Sequence, residues 1–190
     1  MHIDYFRKEI QFKIVYYGPG LGGKTTNLEY IHANIDPSIR GELVSLKTKD
    51  ERTLYFDFLQ LKLGKIKNKT PRFHLYTIPG QVHYGFSRQI ILRGADAVVF
   101  VADSQPVRMD ENLETLADLE KKLILYKYSL DNFPWVLQYN KRDLADSMSI
   151  ETMQNKLNFL NVPYHQAVAL NGKGVYETLR TTIELLIKKI

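Results

Sequence analysis

Residues 18–25, Gly18-Pro19-Gly20-Leu21-Gly22-Gly23-Lys24-Thr25, fit the pattern G-x-x-x-x-G-K-[ST] at every fixed position. Glycines in such a run let the backbone curl until successive N–H groups converge on phosphate oxygens, and a helix starting at its end adds the positive end of its dipole. The chemistry that follows is binding of a nucleotide polyphosphate. Gly18, Gly20, Leu21, Gly22, Gly23, Lys24, Thr25 and Thr26 form the cradle. Lys24 acts as a point charge between the β- and γ-phosphates, and the Thr25 hydroxyl completes an octahedral Mg²⁺ shell. The context agrees, because the β-rich run Phe12–Tyr17 precedes the loop and Leu28, Ile31 and Ile35 follow it at helical spacing.

A phosphate loop does not choose the base. Asn140-Lys141-Arg142-Asp143 stands directly after another apolar run, where a strand would end. Guanine presents N1–H and N2–H₂ side by side, so the single carboxylate of Asp143 can accept both, whereas adenine has an acceptor at N1 and no N2 amine. GTP over ATP follows. Asn140 can tie either the base edge or the phosphate loop, and the aliphatic stem of Lys141 can cover the ring face. Val168-Ala169-Leu170 offers backbone N–H groups, from Ala169 or Leu170, to the guanine carbonyl oxygen.

These groups need a frame, and the chain alternates in the way that builds one. Leu54–Leu63 and Phe73–Thr77 flank a lysine-rich turn and read as adjacent antiparallel strands. Ala97–Ala102 and Trp135–Tyr139 are nearly continuous apolar runs, suited to strands buried on both faces of a parallel sheet. Leu113, Leu116, Leu119 and Leu123 mark one helix, Ile150, Met153, Leu157 and Leu160 another, and Val175, Leu179, Ile183, Leu186 and Ile190 the last. The expected fold is a three-layer α/β phosphate-loop domain: a mostly parallel six-stranded sheet with one antiparallel strand and helices on both faces, in one unit spanning 1–190. Ligands of such sheets bind at the carboxyl ends of the strands, where both motifs fall.

The chain has 190 residues, 44% hydrophobic and 25% charged, with no cysteine. That composition excludes disordered and fibrous classes, disulfides, thiolate metal sites, cysteine nucleophiles and lipidated cysteines. His32, His74, His83 and His165 are not at metal-ligand spacing. No apolar signal-peptide core opens the chain, so a cytoplasmic protein is expected. The net charge of +5 raises the question of nucleic acid or anionic lipid. Residues 47–72 hold eight basic and three acidic side chains, which accounts for all of it, and the remainder is neutral. Four of the eight, Lys62, Lys65, Lys67 and Lys69, read as a basic hairpin turn that keeps a sheet edge soluble, or else as a surface for an acidic partner. With no aromatic platform among those lysines, nucleic acid is disfavoured.

With Tyr16-Tyr17-Gly18-Pro19-Gly20, Asp50-Glu51-Arg52-Thr53-Leu54 and Pro79-Gly80-Gln81, the chain resembles the Ras-like small GTPases, and more closely the MglA-type bacterial polarity GTPases, over essentially its whole length. The resemblance implies a first switch at 47–58, where Thr53 adds a hydroxyl to Mg²⁺ and senses the γ-phosphate. It implies a second at 77–81, where the Gly80 N–H contacts the γ-phosphate and Gln81 orients the attacking water. It implies that Arg52 acts as an arginine in cis, brought in with Gln81 by a roadblock-type dimeric activator. It further implies a monomer that controls polarity and motility, gathered at a cell pole by protein partners. The aspartate that usually opens the family's D-x-x-G turn is Thr77 here. Asp57, on the neighbouring strand, is the candidate replacement at the metal; the alternative is a carboxylate on the solvated strand face. A GTP-gated scaffold with negligible turnover is the rival from a different class.

Overall fold

The computed structural model of the chain describes residues 1–47, 53–66, 68–79 and 85–189. Apolar runs form its centre. β6 (Ala97–Asp103) and β7 (Trp135–Asn140) are buried at every position, as strands covered on both faces must be. They pair in parallel with each other and, through β6, with β2 (Glu9–Tyr17). β2 pairs in parallel with β5 (Thr70–Thr77), and β8 (Tyr164–Gln166) extends the far edge. β4 (Thr53–Lys62) is antiparallel to β5, as the lysine turn between them requires.

Among the described residues the sheet has eight strands rather than six. The order is β3-β4-β5-β2-β6-β7-β8, with β3 (Val44–Lys47) antiparallel to β4 and β1 (His2–Asp4) antiparallel to β2. β1 pairs with Glu9 to Gln11, where β6, whose ladder on β2 starts at Ile14, leaves that side open. Both additions are edge strands of only three and four residues, too short for their alternation to stand out as a pattern.

Helices cover both faces. α1 (Lys24–Asn34) and α5 (Val175–Ile187) pack on one, burying Leu28, Ile31, Val175, Leu179 and Leu186. α2 (Gly85–Leu92), α3 (Met109–Leu125) and α4 (Ile150–Leu157) cover the other with Leu92, Leu116, Leu119, Leu123, Met153 and Leu157. The stripe on α3 is rotated from expectation. Leu113 is exposed and Asn112 is buried, because the Asn112 amide bonds the backbone at Asp103: its Nδ2 donates to the Asp103 carbonyl at 2.8 Å and its Oδ1 accepts the Asp103 N–H at 2.9 Å.

α2 was not foreseen, and it buries a charge. Arg88 is 1% exposed. Its Nε donates to the Pro79 carbonyl at 2.9 Å, its Nη1 donates to Asp118 Oδ2 at 3.0 Å, and its guanidinium lies 5.8 Å from the centre of the Tyr17 ring. The Tyr17 hydroxyl donates to the same Asp118 oxygen, and Lys122 donates to the other. Burial pushes the Asp118 carboxyl up, but these hydrogen bonds outweigh it and hold the group below its ordinary value. A carboxyl depressed in the fold stabilises it at neutral pH, and that contribution fades as the pH falls below the carboxylate range. Arg88→Ala is expected to lower unfolding free energy by about 2–4 kcal/mol, since it removes the buried guanidinium's hydrogen bonds to Pro79 and Asp118. Urea melts measure this, and in an Arg88→Ala, Asp118→Asn double variant the two losses should fall short of additivity. Additive losses would mean that the pair is not coupled.

Candidate nucleotide-binding site

The phosphate loop leaves β2 at Gly18 in a conformation reserved for glycine. Its φ is +140°, and a Cβ there would lie 2.2 Å from the Val101 carbonyl oxygen, so β6 presses directly on the loop. Gly23 closes the loop at φ +97°, with a Cβ position 2.1 Å from Asn140 Nδ2, and caps the start of α1. Lys24 is buried within the loop and its ammonium donates to the carbonyls of Gly18 at 3.0 Å and Pro19 at 2.6 Å. Burial, with the Arg88 charge and more weakly that of Arg108, lowers its pKa to about 7 against an opposing pull from Asp57. Anionic phosphate brought to this loop supplies the countercharge that restores the full cation.

Asp57 faces inward and is wholly buried, so the solvated-face alternative does not hold. The Thr25 hydroxyl donates to its Oδ2 at 2.5 Å and the Thr77 hydroxyl donates to the same oxygen at 2.7 Å. Ser45, opposite it across the β3–β4 ladder, donates to Oδ1. Thr77 Oγ1 in turn accepts the Asp57 N–H at 2.8 Å. The threonine that stands in the place of the family's aspartate therefore links β5 to the carboxylate on β4.

The base-side motif and the phosphate loop meet through one side chain. Asn140, last residue of β7, donates through Nδ2 to the Gly22 carbonyl at 2.8 Å, and its Oδ1 accepts the Ala169 N–H at 2.9 Å. Of the two roles open to it, Asn140 takes the phosphate loop, and in doing so it engages the Ala169 amide. Lys141, at φ +63°, extends to the wholly buried Asp103 at 2.6 Å. A cavity of about 240 Å³ lies beside them, lined by Leu21, Gly23, Thr26, Lys141, Asp143 and Leu170 among others. Leu170 is exposed on its rim.

Besides Ser45, which bonds Asp57, two residues of this site were not singled out from sequence. Asp103 ends β6 beside Asn140 and anchors Lys141. Arg108 donates to the Gly20 carbonyl at 2.6 Å and pairs with Glu111. A lone acid closing an otherwise all-apolar strand at its carboxyl end was the available signal for the first. The second had none, because a short turn, Pro106–Arg108, carries it to the loop. Arg52, Gly80 and Gln81 lie outside the described residues. Thr53 opens β4, but its side chain is also outside them.

A phosphate loop at the carboxyl end of β2, bound through Asn140 at the end of β7 and flanked by a cavity, defines a nucleotide-dependent switch domain of the small GTPase kind. Residues 3–186 match the ADP-ribosylation factor family, and the chain belongs to that family of GTPases. It is 51% identical to the mutual gliding-motility protein MglA of Myxococcus xanthus over 99% of this chain and 96% of that protein. Human ADP-ribosylation factor-like protein 4A is 29% identical over 94% of this chain and 84% of its own length. A Ypt/Rab-type GTPase, Rab7 of Neurospora crassa, is 24% identical over 91% of the chain.

Proposed function

We propose that the chain is a Mg²⁺-dependent GTP switch that controls motility and front-rear polarity in a bacterium, with a roadblock-type dimer as its activator. Polar localisation through protein partners belongs to the same reading. The motility part rests on similarity to a gliding-motility protein along nearly the whole chain. The observation that carries the switch part is the Asp57 cluster, where a wholly buried carboxylate on β4 meets the Thr25 hydroxyl of the phosphate loop. A buried carboxylate is costly without a compensating positive charge. Hydroxyl and carboxylate oxygens are also the hard donors that Mg²⁺ selects, so the residues fit the ion. Thr25 and Thr53 would supply hydroxyls to it and Asp57 would support it from behind. Mg²⁺, when bound, neutralises charge developing on the bridging and γ-phosphate oxygens.

The remaining roles fall to this chain's own groups. Lys24 and the loop N–H groups of Gly20 to Thr26 hold the phosphates. Asp143 selects guanine, Lys141 covers its face, and Leu170 offers its N–H, since the Ala169 amide is engaged. The Gly80 N–H contacts the γ-phosphate, Gln81 orients the water and Arg52 stabilises the transition state. Because β4 carries Asp57 and begins one residue after Arg52, any activator that shifts β4 moves the metal support and the arginine together.

Two measurements test the proposal. Asp57→Ala should weaken Mg²⁺-dependent retention of GDP by roughly 10- to 100-fold; unchanged Mg²⁺ dependence removes Asp57 from the site. Single-turnover GTP hydrolysis should accelerate with a roadblock-type dimer, and absence of acceleration by any partner would favour the GTP-gated scaffold.

A further inference from the structure

The end of the sheet remote from the nucleotide carries a second feature. The turn between β1 and β2, Tyr5-Phe6-Arg7-Lys8, projects two aromatic rings into solvent, with Tyr5 77% and Phe6 99% exposed. The lysine turn between β4 and β5 lies against it. The Thr70 N–H donates to the Lys8 carbonyl at 2.8 Å, Glu9 pairs with Thr70 across the ladder, and Lys69 Nζ stands 5.0 Å from the centre of the Tyr5 ring. The lysine turn is tightly made. Ile66 and Lys69 exchange backbone hydrogen bonds of 2.8 and 2.9 Å, and Gly64 and Asn68 take the left-handed conformations its reversals need.

Charge and shape agree on what such a surface meets. Among the described residues, Lys8, Lys62, Lys65 and Lys69 supply four positive charges that no ion pair engages, Arg7 adds a fifth beside Asp4, and neither turn contains an acidic residue. The flanking acids are already engaged, Asp4 with Arg7 at 3.9 Å and Glu9 with Arg72 at 2.6 Å. The two rings stand exposed side by side in the chain at the β1–β2 turn, next to these cations. Amphipathic surfaces of this kind bury a small apolar tip at the headgroup–acyl boundary while flanking cations meet anionic headgroups.

We propose that the paired β1–β2 and β4–β5 turns form a peripheral docking surface for an anionic lipid bilayer, with Phe6 and Tyr5 entering the interface and Lys8, Lys65 and Lys69 contacting phosphate headgroups. Among the described residues no helix is long and apolar enough to span a bilayer, so this contact is peripheral and reversible. Its place in the fold has a consequence. β2 starts at the patch and ends at the phosphate loop, nine residues or roughly 30 Å away. A docked molecule therefore holds its nucleotide edge away from the lipid and open to protein partners. Each basic side chain at such a surface contributes roughly fivefold to partitioning, so several weak contacts add up to binding.

The test is flotation of the full-length, GDP-loaded protein with vesicles of phosphatidylcholine alone or mixed with phosphatidylglycerol. Binding is expected to the mixed vesicles only, and to weaken as salt is raised. Phe6→Ser should reduce it about fivefold, and Lys65→Glu with Lys69→Glu should reduce it by more than tenfold, as charge reversal turns attraction into repulsion. All three substitutions are distant from the nucleotide and should leave GDP affinity unchanged, which confirms folding. No binding to mixed vesicles overturns the proposal, and so does binding indifferent to Phe6 and the lysines. Tight binding of a single-stranded RNA probe without vesicle binding overturns it in favour of nucleic acid.

Discussion

Arg52→Ala is expected to reduce activator-stimulated GTP hydrolysis by about 10³-fold or more while GTP and GDP affinities stay as they are. The separation follows from when the interaction forms. A guanidinium directed at charge that develops only as the γ-phosphoryl group departs lowers the barrier without adding to ground-state binding, so its loss appears in the rate and not in affinity. In the proposed function ground-state affinity falls to other groups: Lys24, which bonds the phosphate-loop carbonyls, and Thr25, which bonds Asp57. Arg52→Lys should rescue little, because an ammonium lacks the planar fork that meets two phosphate oxygens at once. Single-turnover hydrolysis with the activator, paired with equilibrium binding of a fluorescent GTP analogue, measures both quantities. A stimulated rate that survives Arg52→Ala, with binding intact, removes the arginine from the transition state.

The phosphate loop could be read from sequence because its whole signal is local: glycines where positive φ or close backbone approach is needed, then Lys24 and Thr25. β6 and β7 were legible for a similar reason, since burial on both faces makes a strand apolar at every position. Asp57 was ambiguous, because Phe56-Asp57-Phe58 alternates correctly for a carboxylate on either face. What decides it is contact with Thr25 and Thr77, 32 and 20 residues away, which no local pattern encodes. α2 was missed because its apolar residues divide between two faces. Phe86 and Ile90 point to solvent while Ile91 and Leu92 point to the core beside Arg88, so no single apolar stripe marks the helix. Asn112 shifts the stripe on α3 in the same way, by exchanging an apolar core position for two backbone hydrogen bonds. In each case a polar side chain found a buried partner distant in sequence, and burial followed the partner rather than hydropathy.

Asp143→Asn is expected to weaken GTP and GDP binding by about 10²- to 10⁴-fold, since two charge-assisted hydrogen bonds to guanine contribute roughly 1.5–3 kcal/mol each. The substitution is close to isosteric, and Asp143 is exposed at the cavity wall, so the fold should be unaffected. The turn that presents it is fixed independently: the Arg142 N–H donates to the Ala167 carbonyl at 3.1 Å, and Lys141 is held by Asp103. The chemistry of the replacement predicts a change of preference as well as a loss. An asparagine offers one acceptor and one donor where aspartate offers two acceptors. Xanthine keeps the N1–H of guanine but carries a carbonyl in place of the 2-amino group, so its edge complements the amide. Affinity for xanthosine nucleotides should therefore rise in Asp143→Asn while affinity for guanosine nucleotides falls. ATP should not gain, because adenine presents an acceptor at N1, has no group at C2 to engage the side chain, and carries an amine where Leu170 offers a donor. Titrations of GDP, xanthosine diphosphate and ADP against both proteins test the assignment. Unchanged GDP affinity would place the base elsewhere, and an equal loss for every nucleotide would mean that the carboxylate supports the loop rather than reads the base.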